Sequence, residues 1–260
     1  MKNYKVILFS VAMTGILAFF LRLQERSFFD VTTGLAVATP LHAVNAIIAV
    51  GCAALVVLPV LYTKKNEEGN FAHCFAANAA KELLLPVVGI FFLLGSAVQL
   101  LLSWFLLKKI LLGLLGILLL LGAGSFLKAL SDSRRGKAVS PSLLMGMICA
   151  LALCMILSYQ AESDNPVLLS YYVQILAQGA ALLSFYHLGN FAFPPVKLRP
   201  WLWPTLVSVV LCFMAAADAG KVVGPLFYLG LAFLQLGLLG LYCRKDPENM
   251  HTEEGERPRG

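Results

Sequence analysis

The sequence predicts an all-α membrane protein, a helical bundle of eight transmembrane helices with both termini in the cytoplasm. Of its 260 residues, 59% are hydrophobic and only 13% are charged, whereas roughly a quarter of the residues of soluble domains are charged. The apolar residues are gathered in eight long runs, and most of the lysine and arginine residues lie in the connectors on one side of those runs. Composition, run length and charge placement therefore agree on a multi-pass membrane protein.

The eight apolar runs define the predicted helices. A helix needs about 20 apolar residues to cross a bilayer, and its backbone polar groups must be satisfied within the helix itself. The predicted helices cover residues 6–21, 40–62, 83–107, 110–127, 143–161, 167–193, 201–217 and 222–243. They form a single transmembrane domain of residues 1–243, and a polar connector divides it into halves of residues 1–130 and 141–243. The sequence does not define the boundary between the third and fourth helices, because their turn lacks glycine and proline.

The lysine and arginine residues predict the orientation of the chain. If all eight helices cross, fifteen of these residues lie on the side of the termini and five on the other side. Cytoplasmic connectors carry such an excess, so we expect both termini inside the cytoplasmic membrane. Residues 244–260 are charged and lack an apolar face, which predicts a disordered cytoplasmic tail. Trp201 and Trp203 are predicted to anchor the seventh helix at the membrane interface.

The sixth predicted helix is the most polar of the long apolar runs. Residues 167–193 contain no Asp, Glu, Lys or Arg, and at about 100° per residue most of their polar side chains fall within an arc of roughly 160°. When all the helices are threaded through the membrane, the polar residues concentrate in its outer half. The sequence therefore predicts a shallow polar cavity that is open to the outside. The candidate ligand-binding residues are Asn45, Gln99, Tyr171, Gln174, Gln178 and Asp218.

Hydrogen bonds between helices explain the same polar residues equally well. Intramembrane polar side chains are costly unless they pair or contact water. Direct interhelical hydrogen bonds satisfy them, although each contributes only about 0.6 kcal/mol on average. The cavity and the packed arrangement therefore both remain open at the level of the sequence.

The sequence lacks the motifs of catalytic and cofactor chemistry. No carboxylate lies within a predicted helix, and no H-E-x-x-H, G-x-S-x-G or phosphate-binding loop is present. We therefore expect no catalytic residue, no metal ligand and no cofactor. His187 lacks a partner carboxylate nearby in the sequence and is predicted to be a packing residue. No basic patch with interleaved aromatic residues is present, so no nucleic-acid partner is expected despite the net charge of +6.

Three short motifs resemble a group of uncharacterised bacterial polytopic membrane proteins. Residues 28–35 read FFDVTTGL, residues 184–193 read SFYHLGNFAF and residues 216–220 read AADAG. In that group a similar F-D-x-x-T-G-L follows the first span, and similar F-Y-x-x-x-x-F-A-F and A-D-x-G pieces close the sixth and seventh helices. The group has no established activity, so the resemblance implies fold and membrane location alone. It singles out Asp30, Gly34, Tyr186 and Asp218.

Three functional hypotheses follow. The first is a non-enzymatic integral membrane protein that acts as a sensor, an assembly partner or a small-ligand binder through an outward-facing polar cavity. The alternative is a transporter or channel for a small solute, and an intramembrane enzyme is the third. The expected partners are the lipid bilayer and either a small-molecule ligand or another membrane protein.

Overall fold

The structure is a computed structural model. It describes residues 2–26, 68–69, 75, 82–135, 137, 139–162, 169–191, 193, 196–197, 199–218 and 222–242. The predicted helix at residues 40–62, the candidate residue Asn45 and the predicted tail at residues 244–260 lie outside the described residues.

The described residues form seven α-helices, which confirms the all-α prediction. They are α1 (Lys2–Arg26), α2 (Leu84–Leu107), α3 (Ile110–Arg134), α4 (Pro141–Glu162), α5 (Leu169–Asn190), α6 (Arg199–Ala216) and α7 (Pro225–Tyr242). Within α2, α3, α4 and α7 lie stretches long and apolar enough to cross a membrane. Shorter apolar stretches, Leu8–Gln24 and Pro200–Ala216, occupy α1 and α6. These helices indicate a membrane protein.

The turn between α2 and α3 shows where one helix ends and the next begins, a boundary that the sequence does not define. Lys108 adopts a left-handed conformation, with φ 52° and ψ 24°, and its backbone N–H donates to the carbonyl oxygen of Trp104 at 2.7 Å. This cap ends α2, and α3 begins at Ile110. A left-handed residue is usually glycine or asparagine, so the lysine at this position gives no signal in the sequence.

Helix α3 ends at Arg134, whereas the predicted helix ends at residue 127. The extra residues are amphipathic. Ala129, Leu130 and Ser133 are buried, while Lys128 and Arg134 are exposed. An apolar run stops at its first charged residue, but a helix continues as long as its charged side chains can lie on a solvated face.

The helices close into a continuous series. Each helix from α2 to α6 packs against the next helix in the chain, and α7 packs back against α2. Helix α1 packs against α6 and, to a lesser extent, against α7. Helix α7 is the most enclosed of the four apolar helices, because 72% of its apolar window is buried against 39% for the other three.

Glycines allow α2 and α7 to approach each other closely. A Cβ atom at Gly230 would lie 2.9 Å from the backbone nitrogen of Leu93, and one at Gly237 would lie 2.5 Å from the nitrogen of Pro86. A Cβ atom at Gly89 would lie 2.8 Å from the carbonyl oxygen of Gly230. Small residues at helix interfaces serve this purpose in membranes. Pro86, at the start of α2, lies against Gly237 near the end of α7, and Leu93, farther along α2, lies against Gly230. The two helices are therefore antiparallel.

A short strand pair and an aromatic cluster hold one end of the bundle together. Strands β1 (Glu68–Gly69) and β2 (Val196–Lys197) pair antiparallel and join the connector before α2 to the connector before α6. Phe75 and Trp201 each follow one of these strands within six residues. The rings of Phe75, Phe191 and Tyr242 surround Trp201, with ring centroids 5.1, 6.0 and 6.1 Å from that of Trp201. We call these four residues the aromatic cluster.

The aromatic cluster corrects the prediction for Trp201. Its side chain is 1% exposed, so it packs inside the protein and does not anchor the helix at the membrane interface. Trp203, two residues later, is 43% exposed and is compatible with the predicted role. The two residues point to opposite sides of α6, and only one of those sides faces the bundle.

Candidate functional site

A buried ion pair joins the end of α1 to the end of α6. The Arg22 Nε donates to both carboxylate oxygens of Asp218, at 3.2 and 3.1 Å, and the two side chains are 5% and 3% exposed. Arg22 lies on the same stripe of α1 as the buried residues Val11, Thr14 and Ala18, because residues three and four apart share a helix face. The candidate residue Asp218 therefore has a protein partner that neutralises its charge.

A hydrogen-bond network joins α4, α5 and α7 around Gln178. The Gln178 Nε2 donates to the Ser158 hydroxyl at 3.0 Å and to the Tyr228 hydroxyl at 2.9 Å. Gln178 and Ser158 are 0% and 2% exposed, and Tyr228 is fully buried. The Oε1 atom of Gln178 has no hydrogen-bond partner among the described residues. The network thus satisfies the donor side of the amide and leaves its acceptor unused.

The ion pair and the network lie toward the same end of the bundle. Asp218 lies two residues beyond the end of α6 and Tyr228 lies in the first turn of α7, so a short connector joins the two positions. At this end α1, α2, α4 and α6 finish while α3, α5 and α7 begin. We call it the Asp218 end, and the opposite one, which holds the aromatic cluster, the Trp201 end.

The other candidate residues take different positions. Gln174, one turn before Gln178 on α5, is 4% exposed. Gln99 is exposed on α2, and its Oε1 lies 3.5 Å from where a Cβ atom of Gly224 would be, near the start of α7. Tyr171 belongs to the first turn of α5, but its side chain lies outside the described part of the chain. The structure therefore brings Gln174, Gln178, Asp218 and Gln99 toward one end.

Three buried residues, two at the Asp218 end and one farther along α7, are absent from the candidates that the sequence suggested. In the sequence, Arg22 is a charged residue just beyond the first apolar run, and Tyr228 is one aromatic residue within an apolar run. The sequence analysis assigns no role to Gln235. Gln235 lies on α7, is 1% exposed, and neither its Nε2 nor its Oε1 has a partner among the described residues. A single glutamine within an otherwise apolar helix is a signal that sequence reasoning could have used, since such side chains are costly in a membrane.

The polar groups available for binding in this region are neutral. Among the described residues, Arg22 and Asp218 are the only buried charged side chains, and they pair with each other. The described part of the chain contains no group of three or more His, Cys, Asp or Glu residues that could hold a metal ion. Amide, hydroxyl and phenol groups therefore supply the contacts available around Gln178.

Comparison of the chain with protein-family models, with curated proteins and with solved structures finds no match in any of the three. The resemblance to the uncharacterised bacterial group stays a prediction.

Proposed function

We propose that the chain crosses the cytoplasmic membrane eight times and keeps both termini inside. The split of fifteen to five in lysine and arginine residues supports this orientation. The β1–β2 pair supports the even number of crossings between its strands, because four helices, α2 to α5, separate two connectors that meet at one end. In this topology the Asp218 end faces outside and the Trp201 end faces the cytoplasm.

Single cysteines test the topology. In a background without the native cysteines, a cysteine at position 27 or 163 is expected to react with a membrane-impermeant thiol reagent on intact cells. A cysteine in place of Ser140, which is exposed in the connector before α4, is the matched control and is expected to react only after lysis. The opposite pattern would reverse the orientation.

We further propose that the protein is a non-enzymatic binder of a small, uncharged, hydrogen-bonding ligand at the Asp218 end. The observation that carries this proposal is the fully buried Gln178, whose Nε2 donates to two hydroxyl groups while its Oε1 has no partner among the described residues. A buried acceptor without a partner costs its full desolvation, about 1–3 kcal/mol. A ligand or water molecule that donates a hydrogen bond to Oε1 removes this cost.

The neighbours of Gln178 favour an uncharged ligand. Ser158 and Tyr228 hold the amide in one orientation, so its acceptor is positioned before a ligand arrives. The nearest buried charges, Arg22 and Asp218, are engaged with each other. A charged ligand would have to enter a low-dielectric region without a counter-charge of its own, which is expensive.

Thermal unfolding of the purified protein in detergent, with a panel of amides, polyols and sugars, tests the binding function. At least one solute is expected to raise the melting temperature, because a ligand that binds only the folded state stabilises it. Gln178→Leu is expected to abolish the rise. Gln160→Leu, an exposed glutamine on α4, is the matched control and should keep it. A rise that survives in Gln178→Leu would place the ligand elsewhere.

A further inference from the structure

Helix α7 carries a buried polar stripe along its whole length. Tyr228, Gln235 and Tyr242 are seven residues apart, and seven residues complete almost two turns, so the three side chains lie on one face. All three are buried, at 0%, 1% and 8% exposure. Tyr228 and Tyr242 are fourteen positions apart, which corresponds to about 21 Å at 1.5 Å per residue and is most of the hydrocarbon thickness of a bilayer.

The two ends of the stripe are connected to opposite ends of the bundle. At the Asp218 end, Tyr228 accepts a hydrogen bond from Gln178. At the Trp201 end, Tyr242 packs edge-on against Trp201, with ring centroids 6.1 Å apart. Gln235 therefore lies about 10 Å below Tyr228, midway between the polar network and the aromatic cluster.

Helix α6 runs beside this stripe with polar groups of its own. It packs against α7 and is antiparallel to it. The connector of residues 217–224 joins the end of α6 to the start of α7, and Trp201 at the start of α6 packs against Tyr242 at the end of α7. Ser208 and Cys212 are both 0% exposed, and the Ser208 Oγ lies 3.7 Å from the Cys212 Sγ. Ser208 stands close to the middle of α6 and thus at about the depth of Gln235. We call Tyr228, Gln235 and Tyr242 of α7, with Ser208 and Cys212 of α6, the polar column.

Gln235 is the least satisfied side chain of the polar column. Neither amide atom has a partner among the described residues, and water is scarce at mid-membrane depth. No interhelical hydrogen bond within the described part of the chain accounts for Gln235, in contrast to Ser184 and Thr205, whose hydroxyl groups lie 2.6 Å apart. Unsatisfied buried polar groups in native proteins call for an occupant such as water or a ligand. The amide offers two donors and one acceptor to a small molecule.

We propose that the polar column is a passage for small uncharged solutes, with Gln235 as the mid-membrane binding position. Solutes of this class, of which urea and glycerol are examples, carry both donors and acceptors and can exchange hydrogen bonds between Gln178, Gln235 and the hydroxyl groups of the column. The aromatic cluster constricts the passage at the Trp201 end. This activity goes beyond the binding function proposed above and does not depend on it.

Osmotic reswelling of proteoliposomes tests the passage. Liposomes containing the full-length protein are mixed rapidly with urea or glycerol, and light scattering follows the entry of solute. We expect the wild-type protein to reswell faster than protein-free liposomes. Gln235→Leu is expected to reduce the protein-dependent rate about tenfold, the effect of losing one hydrogen bond to the solute.

A substitution in the aromatic cluster is expected to change the reswelling rate in the opposite direction. Phe191→Ala removes a ring that packs against Trp201 and Phe75, so we expect the rate to rise. Phe193→Ala, an exposed phenylalanine two residues later, is its matched control, and Gln160→Leu is the control for Gln235→Leu. Both controls should reswell at the wild-type rate.

Two results would overturn the passage. One is a wild-type rate equal to that of protein-free liposomes. The other is a folded Gln235→Leu variant that keeps the wild-type rate. If Gln235→Leu does not fold, the wild-type and Phe191→Ala rates decide, because a closed bundle would show neither entry nor an increase. Either negative result, combined with ligand-dependent stabilisation that still requires Gln178, would leave the binding function standing.

Discussion

Replacing Gly237 with alanine is expected to lower the free energy of unfolding by about 1–3 kcal/mol, the usual cost of overpacking a well-packed core. The added Cβ would lie 2.5 Å from the backbone nitrogen of Pro86 and 2.8 Å from its Cα. Real Cβ atoms do not approach backbone atoms so closely, and the proline ring cannot rotate away. Helix α2 must therefore move away from α7. Thermal unfolding in detergent measures the loss.

Gly240→Ala is the matched control in the same helix. A Cβ atom there would contact only a Leu8 methyl carbon at 3.7 Å, an ordinary van der Waals distance. Alanine also favours a helix by up to about 1 kcal/mol over glycine, so this variant should melt at or above the wild-type temperature. Equal melting temperatures for the two variants would show that α2 and α7 are not pressed together at Gly237.

Asp218→Ala is expected to lower the free energy of unfolding by about 3–5 kcal/mol, since it leaves the Arg22 guanidinium buried without its counter-charge. The two side chains are 5% and 3% exposed, so water cannot readily replace the lost partner. The expected result is a loss of folded, monodisperse protein after extraction in detergent. Size-exclusion chromatography and thermal unfolding measure it.

The double variant Arg22→Leu with Asp218→Leu isolates the contribution of the pair. It removes both charges together, and replacing a buried ion pair with apolar residues is often neutral or stabilising. We therefore expect it to recover most of the stability that Asp218→Ala loses. A double variant that is less stable than Asp218→Ala would mean that other contacts of these residues, and not their mutual charge, dominate.

The parts of the fold that depend on local pattern could be predicted from the sequence. The apolar runs indicate the helices. The 3.6-residue period identifies the buried side of α5 only in part, because Gln174 and Gln178 of the predicted polar arc are buried whereas Tyr186 of the same arc is 53% exposed. The ends of the helices are less accessible. Charge alone places the end of the first apolar run before Arg22, yet α1 continues to Arg26 and buries that charge against Asp218.

The remaining parts depend on contacts between residues far apart in the chain. The Arg22–Asp218 pair joins positions separated by 196 residues, and a single sequence contains no record of such a pairing. The same applies to Gln178, for which the period predicts burial but not the identity of its partners, Ser158 and Tyr228. Gln235 is different, because its isolation within an apolar helix is visible in the sequence itself.

The packing of α7 against α2 has a consequence for biogenesis. Helix α2 leaves the ribosome long before α7 is translated, and chain segments fold in the order in which they emerge. Until α7 is inserted, the backbone surface around Gly89 faces lipid instead of its native neighbour. Contacts of such wide separation in the chain form late and slowly. The bundle can therefore reach its final structure only after translation has passed Tyr242, and nascent chains that stall earlier expose this surface to other proteins of the membrane.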